Sequence, residues 1–437
     1  MIGRINLRKI LLLLGDIGLF YLSLLVGVIL GYGDNFTLLV FFKHLIPFSV
    51  LFIGWLVIFY ISDFYTLHTK KRDFSFYSKV ISTLLIVFVG SALLFYLIPH
   101  LKITPKTNLL IIISVFGFFF VLWRKIFYSL FSSHFLRKVA IIGNSEEAQN
   151  LKKEIKNRPY LGYQVEKLDY NKNIIKQVKS KGIETLILAE NLNEASQVTD
   201  NLYQYLNTKV EFQDLAESYE KITRKIPVTF ITKGWFLENL KENKRKFYEK
   251  AKRIIDIILA SFLLIITFPL WIIIDLAIKL EDGGSVLYKQ KRVGMNKRAF
   301  ALLKFRSMQE KAEDRTGPVW AKEKDKRITK VGKVLRRLHL DELPQMINIL
   351  KGDISLIGPR PERPEFVKDL EDKIPHYHLR HLIKPGFTGW AQIKFRYGRS
   401  VEDSKEKFQF DLYYIKNRSF FLDLEVFLKT FQLFFKK

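Results

Sequence analysis

The chain has 437 residues, 49% of them hydrophobic, no cysteine and a formal charge of +27. That length allows two or three domains, the lack of cysteine excludes a disulfide scaffold, and the charge calls for an anionic partner. The basic residues cluster beside apolar runs and no nucleic-acid signature is present, so membrane lipids are the expected partner and nucleic acid is not.

The first third reads as membrane. Apolar runs at 10–30, 38–61, 80–98 and 109–131 are each near the twenty residues or so that cross a ~30 Å hydrocarbon core. No small-residue cleavage site follows the first run, so it reads as an anchor and not as a removable signal. Arg4, Arg8 and Lys9 precede the bundle, Lys70, Lys71 and Arg72 follow the second run, and Arg124, Lys125, Arg137 and Lys138 mark its exit. The other two loops hold only Lys102 and Lys106, so both ends of the bundle are expected in the cytoplasm.

From Lys138 the pattern changes to short β-branched runs separated by helical ones. KVAIIG (138–143), an extended stretch at 163–167, and runs at 185–188 and 210–212 predict βαβ units and a small parallel sheet. Gly143 opens GNSEEA, which lacks the second and third glycines of a dinucleotide-binding turn, so a structural or regulatory role is expected before a cofactor. Residues 222–240 read as a connector, and 241–252 as a charged, helix-prone lead.

A fifth apolar run, 254–280, is long enough to span, yet Lys250, Lys252 and Arg253 precede it and Lys279, Lys289, Lys291 and Arg292 follow it. Cations at both ends ask for one side of the membrane, and Pro269 near the centre removes a backbone hydrogen bond and bends the helix. A re-entrant helix kinked at Phe268–Pro269 satisfies both facts, and an ordinary fifth span is the alternative.

Beyond it lies RLHLDELPQMINILKGDISLIGPRP (337–361). Leu340, Leu343, Met346, Ile347 and Leu350 recur at helical spacing, which predicts an amphipathic helix with Asp341, Glu342 and Pro344 in its first turn. Asp341 there is either an N-cap, worth about 1 kcal/mol, or a functional acid paired with Glu342.

With YKQKRVG (288–294), LKFRSM (303–308), GPRP (358–361), LIKPGFTGWAQIK (382–394) and FDLYYIKNRSFFLDLE (410–425), the C-terminal part resembles the bacterial sugar transferases, the monotopic polyprenyl-phosphate phosphoglycosyl transferases. The match runs from about residue 250 to the end, and the earlier segments resemble the large members of that family. The resemblance implies transfer of a sugar phosphate from a UDP-sugar to a polyprenyl (undecaprenyl) phosphate at the cytoplasmic face of a bacterial inner membrane. It implies UMP release, a requirement for Mg²⁺, a covalent step on an aspartate, and the start of a surface glycan. Carried onto this sequence, Asp341 is the nucleophile and Glu342 its partner. Large relatives suggest a homodimer. Where members often carry Ser-Pro at the kink, this chain has Phe268–Pro269.

The chemistry stands beside the resemblance. Phosphoryl transfer needs an in-line nucleophile, a metal and fixed positive charge, and an aspartate that forms an acyl phosphate splits one hard transfer into two. Lys304, Arg306, Arg360, Pro361 and Arg292 are the expected substrate-binding residues, with Arg360 stiffened between Pro359 and Pro361. Lys304 and Arg306 are alternatively a solvated strand face, and Arg292 a lipid anchor. Asp341, Glu342 and Asp411 are the expected metal ligands, with Asp411 and Asp423 alternatively helix caps. His339, His376, His378 and His381 fit no common zinc spacing and read as surface histidines, while Trp390 reads as packing or interface. The segment 420–437 reads as an interfacial amphipathic helix.

The expected fold is thus a membrane α/β protein: a four-helix transmembrane bundle (1–137), a Rossmann-like cytoplasmic domain (138–240) and a mostly helical catalytic domain (241–437) on the kinked re-entrant helix. An inactive membrane-anchored nucleotide sensor or scaffold of a glycan assembly system is the competing reading. A transporter is disfavoured because the four runs show neither repeats nor paired intramembrane charges.

Overall fold

Apolar length and aromatic packing shape the first part of the chain. The computed structural model describes residues 2–65, 74–97, 106–131, 136–157, 162–169, 174–189, 210–232, 235, 239, 245–309, 325, 327–395 and 400–435. Lys70, Lys71, Arg72, Lys102, residues 241–244, Lys436 and Lys437 therefore lie outside the described residues. The chain divides into two compact units, Met1–Thr223 and Arg224–Lys437.

In the first unit, α1 (Ile2–Tyr32), α2 (Leu38–Ile61), α3 (Phe74–Leu97) and α4 (Lys106–Phe131) are four apolar helices long enough to cross a membrane. Phe20, Phe52, Trp55, Phe59 and Phe116 interlock at their centre, with Phe20 and Phe116 stacked at 4.7 Å between ring centres. Helix α4 comes close to α1 where α1 is glycine. A methyl group at Gly27 would lie 2.3 Å from Ile112, and one at Gly31 would lie 2.1 Å from the Asn108 Oδ1, so this small-xxx-small pair admits no side chain without a shift.

One expectation about the bundle is overturned. Arg124 does not mark a basic exit: it donates to the Asp16 Oδ2 at 2.8 Å, with both side chains buried. The bundle does contain a paired charge, because an arginine inside an aromatic cluster needs a carboxylate more than it needs a loop.

The remainder of the unit is a four-stranded parallel sheet, β1 (Arg137–Ile142), β2 (Tyr163–Val165), β3 (Thr185–Leu188) and β4 (Glu211–Asp214), in the order β2-β1-β3-β4. Helices α5 (Glu146–Asn157), α6 (Ile174–Lys181) and α7 (Leu215–Thr223) accompany it. Strands fall where the β-branched runs predicted, with β4 starting one residue late.

The second unit begins before the expected boundary at 240. Ile226, Val228 and Ile231 of the supposed connector are buried against Tyr377, Phe408 and Leu412, and the Ile226 amide donates to the Gln409 carbonyl at 3.0 Å. Burial of those three side chains is what assigns the segment to this unit.

Its long helix, α8 (Lys246–Asp282), has 37 residues and continues on both sides of Pro269. A hairpin follows, β5 (Leu287–Val293) antiparallel to β6 (Ala299–Phe305). Then come α9 (Lys330–Arg337), a 3₁₀ turn at Leu340–Glu342, α10 (Gln345–Lys351), β7 (Ser355–Ile357), α11 (Pro364–Lys373), β8 (Gly386–Thr388) parallel to β7, α12 (Trp390–Lys394), α13 (Val401–Asn417) and α14 (Phe420–Phe435). Met346, Ile349, Ile357, Trp390, Tyr414 and Val426 form the core, so Trp390 is packing. On α14, Leu422 and Val426 are buried while Phe421 and Leu424 stay exposed, giving it an apolar outer face as well as an inner one.

Candidate active site

The acid pair sits in a turn, not in the first turn of an amphipathic helix. After α9 the chain reverses at His339, which takes the left-handed conformation (φ 55, ψ 20), and runs through the 3₁₀ turn Leu340–Glu342 before α10 starts after Pro344. Asp341 therefore caps nothing. The periodic leucines straddle two elements, because Pro344 has no N–H to continue the helix backwards.

Two cations converge on Glu342. Lys304, the penultimate residue of β6, donates to its Oε1 at 3.1 Å, and Arg360 donates to the same oxygen at 2.6 Å. Burial opposes the charge of Glu342, but Arg360 and Lys304 overcome it and hold the carboxyl far below the usual carboxylate range. Asp341 goes the other way. Burial and then the Glu342 charge push its carboxyl up, against Lys304 and Arg336, and no hydrogen bond holds it among the described residues. Adjacent acids are thus driven apart, one locked as an anion and one left basic and unengaged, which is how paired acids divide labour.

The Arg360 arm is held through its main chain. Arg380 donates to the Arg360 carbonyl at 2.9 Å, and Arg292 donates to the Pro361 carbonyl at 3.0 Å. Gly358 and Gly386 let β7 and β8 close behind the turn: a methyl at Gly386 would lie 2.1 Å from the Gly358 nitrogen. Both flanking prolines fix φ, so the turn is stiff before any ligand arrives.

Three expected residues have other work. Arg306 lies past the end of β6 and grips both carboxylate oxygens of Asp282 and the Ser285 carbonyl, fastening the end of α8. Arg292 is a support for the turn and also meets Gln290 and, at 3.6 Å, Glu362. Asp411 is buried and accepts from Arg380 at 3.0 Å; burial, relieved by Arg380, leaves its carboxyl raised to about 6. It therefore holds the arginine that holds the turn, and is not brought to Asp341. Among the histidines, His381 is not a surface residue: it is buried, and burial together with Arg380 presses its ring down to about 3. Asp423 accepts from Tyr248, Lys252 and Tyr414 and so ties α8 to α13 and α14.

No cluster of three metal-ligating side chains exists among the described residues. The two acids still fit Mg²⁺, which is commonly held by one or two carboxylates plus substrate phosphates. Among the described residues no hydrogen bond engages either oxygen of Asp341, and the Glu342 Oε2 is free of the two cations.

Sequence reading missed two supports. Asn348 donates to the Ala301 carbonyl at 2.8 Å and accepts from the Leu303 amide at 2.9 Å, clamping β6 so that Lys304 reaches Glu342. Its signal is an amide inside the apolar run MINIL. Arg380, hidden in HYHLRH, has no local signal, since Arg360 and Asp411 are distant in sequence.

The family described as Bacterial sugar transferase matches residues 247–437. A UDP-N-acetylgalactosamine-undecaprenyl-phosphate N-acetylgalactosaminephosphotransferase of Aeromonas hydrophila is 45% identical over 183 residues, 42% of this chain and 43% of that protein. A UDP-glucose:undecaprenyl-phosphate glucose-1-phosphate transferase of Escherichia coli (strain K12) is 32% identical over 327 residues, 69% of this chain and 68% of the relative. One of the same description from Xanthomonas campestris pv. campestris is 35% identical over 280 residues, covering 62% of this chain and 56% of its own length. The chain thus spans between two fifths and about two thirds of the length of these relatives. On that footing the chain belongs to the bacterial sugar transferases, of the polyprenyl-phosphate hexose-1-phosphate transferase type.

Proposed function

We propose that this protein transfers a sugar-1-phosphate from a UDP-sugar to a polyprenyl phosphate, undecaprenyl phosphate in a bacterial inner membrane, with the site on the cytoplasmic face. The observation that carries this reading is the acid pair itself: a buried, unengaged Asp341 beside a Glu342 locked as an anion by Lys304 and Arg360. Asp341 attacks the sugar-bearing phosphorus, an O–P bond forms, and UMP leaves with the electrons of the broken P–O–P bond. An oxygen of the polyprenyl phosphate then attacks the same phosphorus, releases Asp341 and gives the lipid diphosphate sugar that starts a surface glycan. Burial that raises the Asp341 carboxyl also makes its anion a stronger nucleophile. Lys304 and Arg360 can exchange part of their hold on Glu342 for phosphate oxygens as charge rearranges. Mg²⁺, carried by Asp341 and Glu342, would neutralise diphosphate charge.

The re-entrant reading of α8 has its own support. At about 1.5 Å per residue its 37 residues run to roughly 55 Å, well over a ~30 Å hydrocarbon core. Yet Asp256 near one end accepts from the Leu356 amide, Asp282 at the other end holds Arg306, and Phe262, Ile265, Phe268 and Ile272 between them are exposed. Both ends thus fasten to one folded unit, which favours their lying on one side of the membrane.

The test is UMP release by the detergent-solubilised protein with Mg²⁺, undecaprenyl phosphate and a panel of UDP-sugars. Release with one sugar, reduced about 10³-fold or more by Asp341→Asn, is the expected result. Turnover that survives in Asp341→Asn would remove the covalent role, and silence across the panel from a folded preparation would move the reading to another nucleotide or to a sensor.

A further inference from the structure

The acids lie ahead of α10, and a different kind of site lies beyond its other end. Gly352 closes the helix in the left-handed region (φ 88), donating to the Asn348 carbonyl at 3.0 Å. The carbonyls of Ile349 and Leu350 are taken by Arg253 of α8 at 2.5 and 2.7 Å. A methyl built on Gly352 would lie 3.4 Å from the Arg253 guanidinium and 3.4 Å from the Lys384 Nζ, so two cations crowd one point.

Arg253 has its carbonyls, but Lys384 has neither hydrogen bond nor ion pair among the described residues. Its burial, and next the Arg253 charge, push its ammonium below the ordinary lysine range. Asp256, Glu249 and Asp353 relieve it only in part. Asp256 accepts from the Leu356 amide at 3.1 Å and Glu249 is held by Arg418 at 2.8 Å.

These residues wall a cavity of about 610 Å³. Lys250, Lys384 and Arg253 face Glu249 and Asp256 in its wall, which is cationic on balance, while Ile254, Leu382 and Ile383 give it an apolar end. The apolar end continues onto the exposed Ile254 and Ile258 of α8, on the membrane-competent helix. A cationic end joined to an apolar, membrane-facing one fits an anionic amphiphile and suits neither a sugar nor a free nucleotide.

We propose that this cavity receives the phosphate head of an anionic membrane lipid, its oxygens on Lys384 and Lys250 and its chain along Ile254 and Ile258. It is a second phosphate site, separated from Asp341 by the length of α10, and it does not depend on the transfer reaction.

The test is native mass spectrometry of the full chain in detergent, without nucleotide sugar, titrated in turn with phosphatidylglycerol, phosphatidylcholine, undecaprenyl phosphate and inorganic phosphate. Phosphatidylglycerol adducts should exceed phosphatidylcholine adducts, and Lys384→Gln should weaken them about tenfold, the scale of one charge-assisted hydrogen bond. Lys384→Arg should retain them, and Lys246→Gln, exposed on α8 outside the cavity, should leave them unchanged. Lys250→Gln provides a second reduction at an exposed site where folding is not at stake. Full displacement of phosphatidylglycerol by undecaprenyl phosphate would make the cavity the acceptor's own and overturn the proposal, while its absence supports a glycerophospholipid. Equal binding of the two glycerophospholipids, wild-type adducts in both Lys384→Gln and Lys250→Gln, or inorganic phosphate bound as tightly as lipid would overturn the proposal.

Discussion

The apolar bundle and the candidate active site both bury charge, and they do it in opposite ways. In the bundle, Arg124 and Asp16 meet at 2.8 Å inside an aromatic shell, both side chains shut away from solvent. In the candidate active site, two cations share one oxygen of Glu342, and Asp341 next to it has no donor among the described residues. A closed pair holds helices together, whereas an over-supplied anion beside an under-supplied one stores the capacity to react. The same residue types serve structure or chemistry according to whether each buried charge has its own counter-charge.

Breaking the closed pair should have the largest effect on folding. Arg124→Leu leaves Asp16 buried without its cation and is expected to cost about 3–5 kcal/mol, read as a fall in the thermal midpoint in detergent, with Asp16→Leu added back recovering much of it. If the single variant melts like wild type, the bundle is not held by this pair. Breaking the over-supplied side should instead spare folding and cost rate. Arg360→Gln is expected to lower kcat by roughly 10²–10³, as for loss of one preorganised donor, with little change in melting. A fall in stability with unchanged turnover would make Arg360 structural and erase the contrast.

The smallest effect sharpens it through pH. Asp411 has a raised folded value of about 6 against an ordinary aspartate value near 4 when unfolded, so the folded chain binds the extra proton between them. Its contribution is complete below about pH 4 and is lost as the pH rises through about 6. Asp411→Asn should flatten that part of the stability profile, with midpoint changes of a few degrees. A profile that rises with pH in wild type over that window, and is unchanged in the variant, would refute the assignment.

Much of this molecule could be read from the chain. Four apolar runs, three β-branched segments and the Asp-Glu and Gly-Pro-Arg-Pro stretches needed only local spacing, and the helices and strands follow from them. What failed needed partners far away in sequence. Lys304 and Arg306 look alike two residues apart, yet one reaches Glu342 and the other Asp282, and only the fold decides between them. Asp411 likewise looks like a ligand until Arg380 is brought to it. The leucine period across 340–350 overran a turn because periodicity registers which side chains are buried, not where the backbone changes hydrogen-bonding pattern.

The grip on the Gly-Pro-Arg-Pro turn falls on its carbonyls, from Arg380 and Arg292. Main-chain atoms are common to every amino acid, so position 360 works like a tool holder whose bit is replaceable. A library at that position, with Pro359 and Pro361 kept, would vary the group presented to Glu342 while leaving its mounting untouched. For anyone wishing to retune the surroundings of the acid pair, that makes residue 360 a cheap place to begin.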